Sequence, residues 1–315
     1  MIKTAVRKVQ VIHVVNEFDS KKGNMTLLSY EIFQNIIEQG SFAKAANLLH
    51  LTPSAVSHSI SSMEAEIGFS LFIRNKNGVK LTSAGEQILP YLQQVVRSNQ
   101  NLLQAVSNMK GLNEGSVKIG CVNSVCLAWI PTIIKIFAEE YPQIDVEVYQ
   151  GSYDDAVNWT KNGVIDLGIV SDAVAEGLPF IPLYDDSLCC VTPKNYMPAG
   201  TTVISPEDLK DQPFVIQQDS CDKDITEFLD KYALSIRANC HILDDQSCMA
   251  MVECGAGISI VPSLLTKNIS RVVDVFPLEP IQHRTLGIIC LDNDFLSPAS
   301  HEMISVIKRI IEEQQ

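Results

Sequence analysis

The sequence predicts a multidomain α/β protein in three parts: a small module of helices with a hairpin, one long helix, and a pair of α/β lobes. Three observations predict it. Residues 25–82 carry closely spaced helical patterns followed by one short β-like block. Residues 83–109 carry a single apolar seam at helical spacing. From about residue 113 onward, β-like runs alternate with helical ones, the pattern of mostly parallel sheets covered by helices. A chain of 315 residues, 46% hydrophobic and 19% charged, is long enough for two or three cores. No apolar run approaches the roughly 18 residues of a membrane-spanning helix.

In the first module, Leu28, Ile32, Phe33, Ile36 and Ile37 fall on one helical face between Met25 and Glu38, and Gly40 ends that helix. Ser41 caps a second helix with Ala45, Ala46, Leu48 and Leu49 as its apolar face. Thr52 caps a third, with Pro53 at the first helical position, where a missing N–H costs nothing. That helix runs to about Ile67; Val56, Ile60 and Met63 face inward while Ser54, Ser57, His58 and Ser61 face outward. The block "LFIRNKNGVKLT" reads as a hairpin with Asn77-Gly78 as its turn. Three helices and a hairpin, the third helix polar on its outer face, describe a winged helix-turn-helix. In that motif the second helix braces the third in a DNA major groove while the wing reaches the backbone or minor groove.

Thr82 caps the long helix, which runs to about Met109. Ile88, Leu92, Val95, Leu102, Val106 and Met109 alternate steps of four and three, with Asn99 as the one polar gap. Such a seam pairs with another helix, and a polar residue within it sets register and strand number. It predicts a dimer, with a kink at Pro90.

In the lobes, "SVKIGCV", "IDVEVYQG" and "VIDLGIVSD" read as strands, and a second set follows: "FVIQQ", a helix from about Cys221 to Leu234, "ANCHIL", the helix "DQSCMAMVECG", and "ISIVP". Ligands in such lobes bind at strand carboxyl ends and helix N-termini, in the cleft between lobes.

Charge divides with the architecture. Residues 1–110 hold 11 Lys and Arg against 7 Asp and Glu, a net +4, whereas the rest of the chain holds 13 against 30, a net −17. The acidic part repels nucleic acid, so DNA contact belongs to the first third. All nine cysteines lie between Cys121 and Cys290 without a C-x-x-C pair, which suits reduced thiols in a cytoplasm and argues against structural zinc. Lys3, Arg7 and Lys8 precede "VQVIHVV", but charged residues follow and no small-residue cleavage site does, which is not the pattern of a signal peptide.

The sequence resembles the LysR-type bacterial transcriptional regulators from about Met25 to Gln315. The resemblance is carried by "GSFAKAANLLHLTPSAVSHSISSMEAEIGFSLFIRNKNGVKLTSAGEQIL" and by "MVECGAGISIVP". It implies a winged-helix DNA reader over 25–82, a dimerising linker helix over 83–112, and a two-lobed effector-binding domain over 113–315 similar to periplasmic binding proteins. It also implies a homotetramer built as a dimer of dimers, partnered by promoter DNA and a small-molecule effector, with RNA polymerase as a further candidate partner and no enzymatic activity, cofactor, metal or membrane contact. Residues 1–24 form an extension outside the family pattern, which makes Met25 a candidate start.

On the DNA side the candidates are Thr52, Ser54, Ser57 and His58, with Arg74, Lys76 and Lys80 on the wing. Arg74 matches the family's "LF-x-R" position; its structural alternative is a salt bridge to Glu64 or Glu66. Family members often carry Arg or Gln where this chain has His58, Ser59 and Ser61, and fewer cations mean a shallower salt dependence. On the effector side the candidates are Asn123 and Ser124 in lobe one and Ser220, Cys221 and Asp222 in lobe two, two helix starts facing one cleft. Asp219 and Asp222 oppose an anion and no Arg is evident there, which favours a neutral or zwitterionic effector. Cys221 lies near the column where the family's peroxide-sensing branch keeps a reactive cysteine, so a thiol-based regulator of the same fold is the alternative. Neighbouring aspartates oppose thiolate formation, and only Cys240 and Cys254 could stand in for a partner thiol. A solute-binding protein is a rival for residues 115–315 taken alone. A cysteine enzyme using Cys240 and His241 is disfavoured because neighbours in a strand point to opposite faces.

Overall fold

A computed structural model describes residues 25–75, 78–109, 114–198, 200–217, 223–234, 237–242, 244–267 and 272–313. The extension 1–24, Lys76 and Asn77 of the wing, and Ser220, Cys221 and Asp222 lie outside the described residues. The chain forms two compact units that divide between Leu89 and Pro90.

The first unit begins with α1 (Leu27–Gln39), α2 (Phe42–Leu48) and α3 (Pro53–Ile67). Local chemistry sets their ends. The side chains of Thr26, Ser41 and Thr52 accept hydrogen bonds from the third amide beyond each, and Gly40 and Gly68 close α1 and α3 with φ of 60° and 86°, conformations that glycine adopts without strain. Ile32, Phe33, Ile36, Ala45, Ala46, Val56, Ile60 and Met63 form the core. Four residues of the expected apolar faces are not in it: Ile37 and Leu49 are half-buried and Leu28 and Leu48 are exposed, because each falls beyond the narrow stripe that three short helices can cover. The wing pairs β1 (Phe72–Asn75) with β2 (Gly78–Leu81), antiparallel, with Phe72 opposite Leu81. Of the expected Asn77-Gly78 turn, Gly78 is the first residue of β2, with φ of 123°.

From the wing the chain enters α4 (Ser83–Met109), which continues through Pro90. Within the second unit α4 docks through three polar side chains. Arg97 Nη2 lies 3.1 Å from Asp166 Oδ1, Gln104 Nε2 donates to the Ser116 carbonyl at 3.1 Å, and Asn101 Nδ2 donates to the Phe295 carbonyl at 2.9 Å. Leu92 and Val96 are buried, whereas Val95, Leu102, Val106 and Met109 are exposed. Leu92 therefore leaves the predicted seam.

Lobe one holds β3 (Gly115–Cys121), α5 (Asn123–Ala128), α6 (Ile130–Glu140), β4 (Ile144–Gln150), α7 (Tyr153–Lys161) and β5 (Leu167–Ser171). The chain then enters β6 (Phe180–Pro193), whose first half pairs with β11 up to Ser187 and whose second half pairs with two other strands from Leu188 onward. This strand carries the chain from lobe one into lobe two. Lobe two holds α8 (Pro206–Leu209), β7 (Pro213–Gln217), α9 (Lys223–Lys231), β8 (Arg237–Ile242), α10 (Asp245–Glu253), β9 (Ser259–Pro262), α11 (Ser263–Thr266) and β10 (Val273–Pro277). The chain returns to lobe one through β11 (His283–Ile289) and ends on α12 (Pro298–Glu312).

The main sheet runs β10-β6-β11-β5-β3-β4 with β9 also on β6, and β7 pairs with β8 apart from it. Pairs β3–β4, β3–β5 and β7–β8 are parallel as expected, but β11 and β6 run antiparallel to every strand they join. The lobes are thus less parallel than the alternation of elements predicts. The reason is the returning chain: β6 carries the chain out of lobe one, and β11 brings it back from lobe two, entering the sheet antiparallel to both β6 and β5. Ile130, Ile133 and Phe137 of α6 share the core of lobe one with Met303, Ile307 and Ile311 of α12, and Trp129, just before α6, is buried with them. In lobe two, β6 is buried on both faces, Leu188 and Cys190 toward one cluster and Cys189 and Val191 toward another.

Candidate functional site

Two sites emerge, one in each unit. In the first, Thr52, Ser54 and His58 are exposed along the start of α3, opposite the buried Val56 and Ile60. Thr52 Oγ1 accepts from the Ala55 amide at 3.2 Å and lies 3.1 Å from Ser54 Oγ, so it caps the helix as well as marking its outer end. Ser57 is half-buried because the wing reaches it: Arg74 Nη1 donates to Ser57 Oγ at 3.3 Å. The Arg74 guanidinium sits 3.8 Å over the Phe42 ring, and Phe42 meets Phe72, which meets Phe33. This cation–π stack fixes the charge at the junction of wing and helix. The salt bridge from Arg74 to Glu64 or Glu66 is not what forms. Glu64 Oε1 accepts from the amides of Leu71 and Phe72 at 2.6 and 3.3 Å, and Glu66 Oε2 accepts from the Met25 amide at 3.1 Å. Lys80 is exposed on β2, and Lys76 lies outside the described residues.

The second site lies between the lobes, around a side chain that the sequence reading missed. Arg284, on β11, is 3% exposed. Its Nε and Nη2 donate to Asp186 Oδ2 on β6 at 3.0 and 2.8 Å, Nη1 donates to Tyr153 Oη at 2.8 Å, and Nη2 also donates to Ser124 Oγ at 2.8 Å. Asp186 Oδ1 accepts from Ser263 Oγ at 2.8 Å and from the Leu264 amide at 2.9 Å. Burial works against the Arg284 charge, but Tyr153 and the Asp186 carboxylate more than offset it, and the guanidinium pKa is raised above its ordinary value. The expectation that the cleft lacks an arginine is therefore wrong. The signal available was a single Arg and a single Asp at the ends of two apolar β runs, "DSLCCV" and "RTLGIIC", and nothing local says that they meet.

Carboxylates from lobe two complete the arrangement. Asp224 of α9 accepts from Tyr153 Oη at 3.0 Å and from Ser171 Oγ at 2.7 Å, and Asp245 of α10 accepts from Asn123 Nδ2 at 2.6 Å. Gln150 Nε2 donates to Asn123 Oδ1 at 2.7 Å. Of the expected effector residues, Asn123 and Ser124 stand together at the start of α5, Ser124 bonded to Arg284 and Asn123 to Asp245 and Gln150. Ser220, Cys221 and Asp222 lie outside the described residues. Ser124 is buried, so a bulky substitution there would break the Arg284 network as well as fill the cleft.

The described thiols are set by burial. Burial pushes Cys121 and Cys190 up, and pushes Cys189 up to about 12 with a contribution from Asp186. Cys254 is exposed, and its Sγ lies 3.1 Å from the Met251 carbonyl. N-Ethylmaleimide at neutral pH is expected to label Cys254 quickly and Cys121, Cys189 and Cys190 only on unfolding, read by peptide mass spectrometry. Equal labelling of all four in the native protein would show that both lobes open to solvent, since Cys121 lies in lobe one and Cys189 and Cys190 in lobe two. Among the described residues there is no group of three or more potential metal ligands and no helix long and apolar enough to cross a membrane.

Comparison with known proteins identifies both parts of the chain. The model of the bacterial regulatory helix-turn-helix proteins of the lysR family matches residues 27–86, and that of the LysR substrate binding domain matches residues 110–311. The chain is 27% identical over 241 residues to the HTH-type transcriptional regulator YvbU of Bacillus subtilis (strain 168), covering 76% of this chain and 82% of the relative. Its fold is similar to that of a full-length OxyR variant from Pseudomonas aeruginosa, with a TM-score of 0.76, 20% identity, and coverage of 91% and 94% of the two chains. It is also similar to full-length CbnR complexed with its target DNA, with a TM-score of 0.61, 15% identity, and coverage of 90% and 99%. The chain belongs to the LysR family: it is a DNA-binding transcriptional regulator with an N-terminal helix-turn-helix and a C-terminal effector-binding domain.

Proposed function

We propose that residues 25–82 read promoter DNA, residues 83–112 pair two copies, and residues 113–315 bind a small effector whose presence changes that reading, with no catalysis involved. Thr52, Ser54, Ser57 and His58 are the candidates for the major groove, and Arg74, Lys76 and Lys80 for the backbone beside it. The observation that carries the reading is the division of α3, whose start is polar and exposed on one face and wholly apolar and buried on the other. Such a helix is braced by the core and leaves only hydrogen-bonding side chains to meet base edges.

For the effector, Asn123 and Ser124 with Arg284, Asp224 and Asp245 form the cleft. The Arg284 charge is met by Asp186, and lobe two adds Asp224, bonded to Tyr153, and Asp245, bonded to Asn123, so a neutral or zwitterionic ligand fits better than an anion. A ligand that replaced the Asp224 or Asp245 contacts would change how the lobes are tied. Assembly as a homotetramer, a cytoplasmic location and contact with RNA polymerase belong to the same reading.

The test is genome-wide mapping of DNA bound by the protein, followed by titration of a recovered promoter fragment with and without a cell metabolite extract. Discrete sites whose affinity shifts with the extract are expected. Binding that ignores sequence would overturn the DNA reading, and sequence-specific binding that no metabolite fraction alters would overturn the effector reading.

A further inference from the structure

Beside α4 lies a cavity of about 490 Å³ with an apolar part formed by Leu102 and Ala105 of the helix and Leu291, Phe295 and Leu296 of the turn between β11 and α12, and a polar part that includes Arg97, Ser98, Asp292 and Asp294. Its rim is unusual for a free surface. Leu102 is 60% exposed and Phe295 76% exposed, although both are large and apolar. The turn is held against the helix by the hydrogen bond from Asn101 to the Phe295 carbonyl, so Leu102 and Phe295 keep a fixed spacing. Ser98 and Ala105 stand one heptad apart, and their small side chains leave the space open.

The same face of α4 continues as an apolar stripe through Val95, Val106 and Met109, all exposed. Between Ile88 and Met109 the only charged residue is Arg97, and it is spent on Asp166 of its own sensor domain. A chain with net charge −13 repels its own copy over most of its surface, but a second α4 laid on this stripe meets only one charged side chain of the helix, Arg97, already paired with Asp166, while Asp292 and Asp294 stand on the turn side of the cavity. With Leu92 and Val96 turned inward, the helix alone presents Val95, Leu102, Val106 and Met109 around the polar Asn99, a narrow seam by itself.

We propose that the cavity is a socket for an apolar side chain from α4 of a second copy, so that the dimer seam is built jointly from the linker helix and the 291–296 turn of the sensor domain. This rests on the linker-helix dimer proposed above and adds a sensor-domain wall to it. The added wall also gives the seam a covalent route to the cleft, because β11 carries Arg284 and runs directly into the turn.

Sedimentation velocity of the full chain over a dilution series tests it. Phe295→Asp is expected to weaken the dimer at least about tenfold, roughly 1.4 kcal/mol, with the thermal melt unchanged, since Phe295 is exposed in the single chain. Leu102→Asp is expected to do the same. If Leu102→Asp dissociates the dimer and Phe295→Asp does not, the socket is wrong and the linker dimer stands; if neither does, both are wrong. A photo-crosslinker placed at position 295, in mixtures of isotope-labelled and unlabelled chains, gives an independent readout. Crosslinks between chains to α4 are expected, and crosslinks confined to single chains would overturn the proposal.

Discussion

Asp186→Ala is expected to lower the unfolding free energy of the sensor domain by about 3–5 kcal/mol, because it leaves the Arg284 guanidinium buried without its counter-charge. The loss has three parts that fall together. Two hydrogen bonds from Arg284 disappear, and Ser263 Oγ and the Leu264 amide lose their acceptor at the same time. The remaining partners of Arg284, Tyr153 Oη and Ser124 Oγ, are neutral and cannot stabilise the charge as a carboxylate does. Replacing both members of the pair, Asp186→Leu with Arg284→Met, is expected to cost much less, since no charge is then left in the interior. Both tryptophans, Trp129 and Trp159, lie in this domain, so urea unfolding followed by tryptophan fluorescence reports the correct unit. A single-variant loss under about 1 kcal/mol would show that water reaches Arg284, and the account of a dry, paired site would fail.

His58→Ala and Ser57→Ala are expected to weaken binding to a specific operator by about 1–3 kcal/mol each, the worth of a good base-edge contact, with no change in the thermal melt. The two should differ in character. His58 is exposed and makes no core contact, so its loss is a loss of readout alone. Ser57 also accepts from Arg74, and removing its hydroxyl frees the wing arginine to move on the Phe42 ring. Lys80→Ala, on the wing, should weaken binding to all DNA and flatten the salt slope by about one unit without altering sequence preference. The measurement is affinity for operator and scrambled duplexes across a salt series. A variant of His58 that loses operator and scrambled DNA equally would place that residue on the backbone and not on a base.

By itself the sequence determined everything that rests on neighbours along the chain. Thr26, Ser41 and Thr52 each hold the amide three residues ahead, and Gly40 and Gly68 supply the left-handed turns, so the three short helices start and stop where the letters say. The lysR pattern over residues 27–86 is equally local, because its spacing is that of one small core, and the charge split between the two parts of the chain needs only counting. What only the tertiary structure decided involves partners far apart in sequence. Arg284 meets Asp186 across 98 positions and Ser124 across 160, brought together because β6 carries the chain out of lobe one and β11 returns it antiparallel alongside. Periodicity places Leu92 in the seam and Leu48 in the core, yet Leu92 is buried within the single chain and Leu48 faces solvent. The cause is the same in each case: helical spacing marks which residues share a face, but only the packed neighbours determine which part of that face is covered.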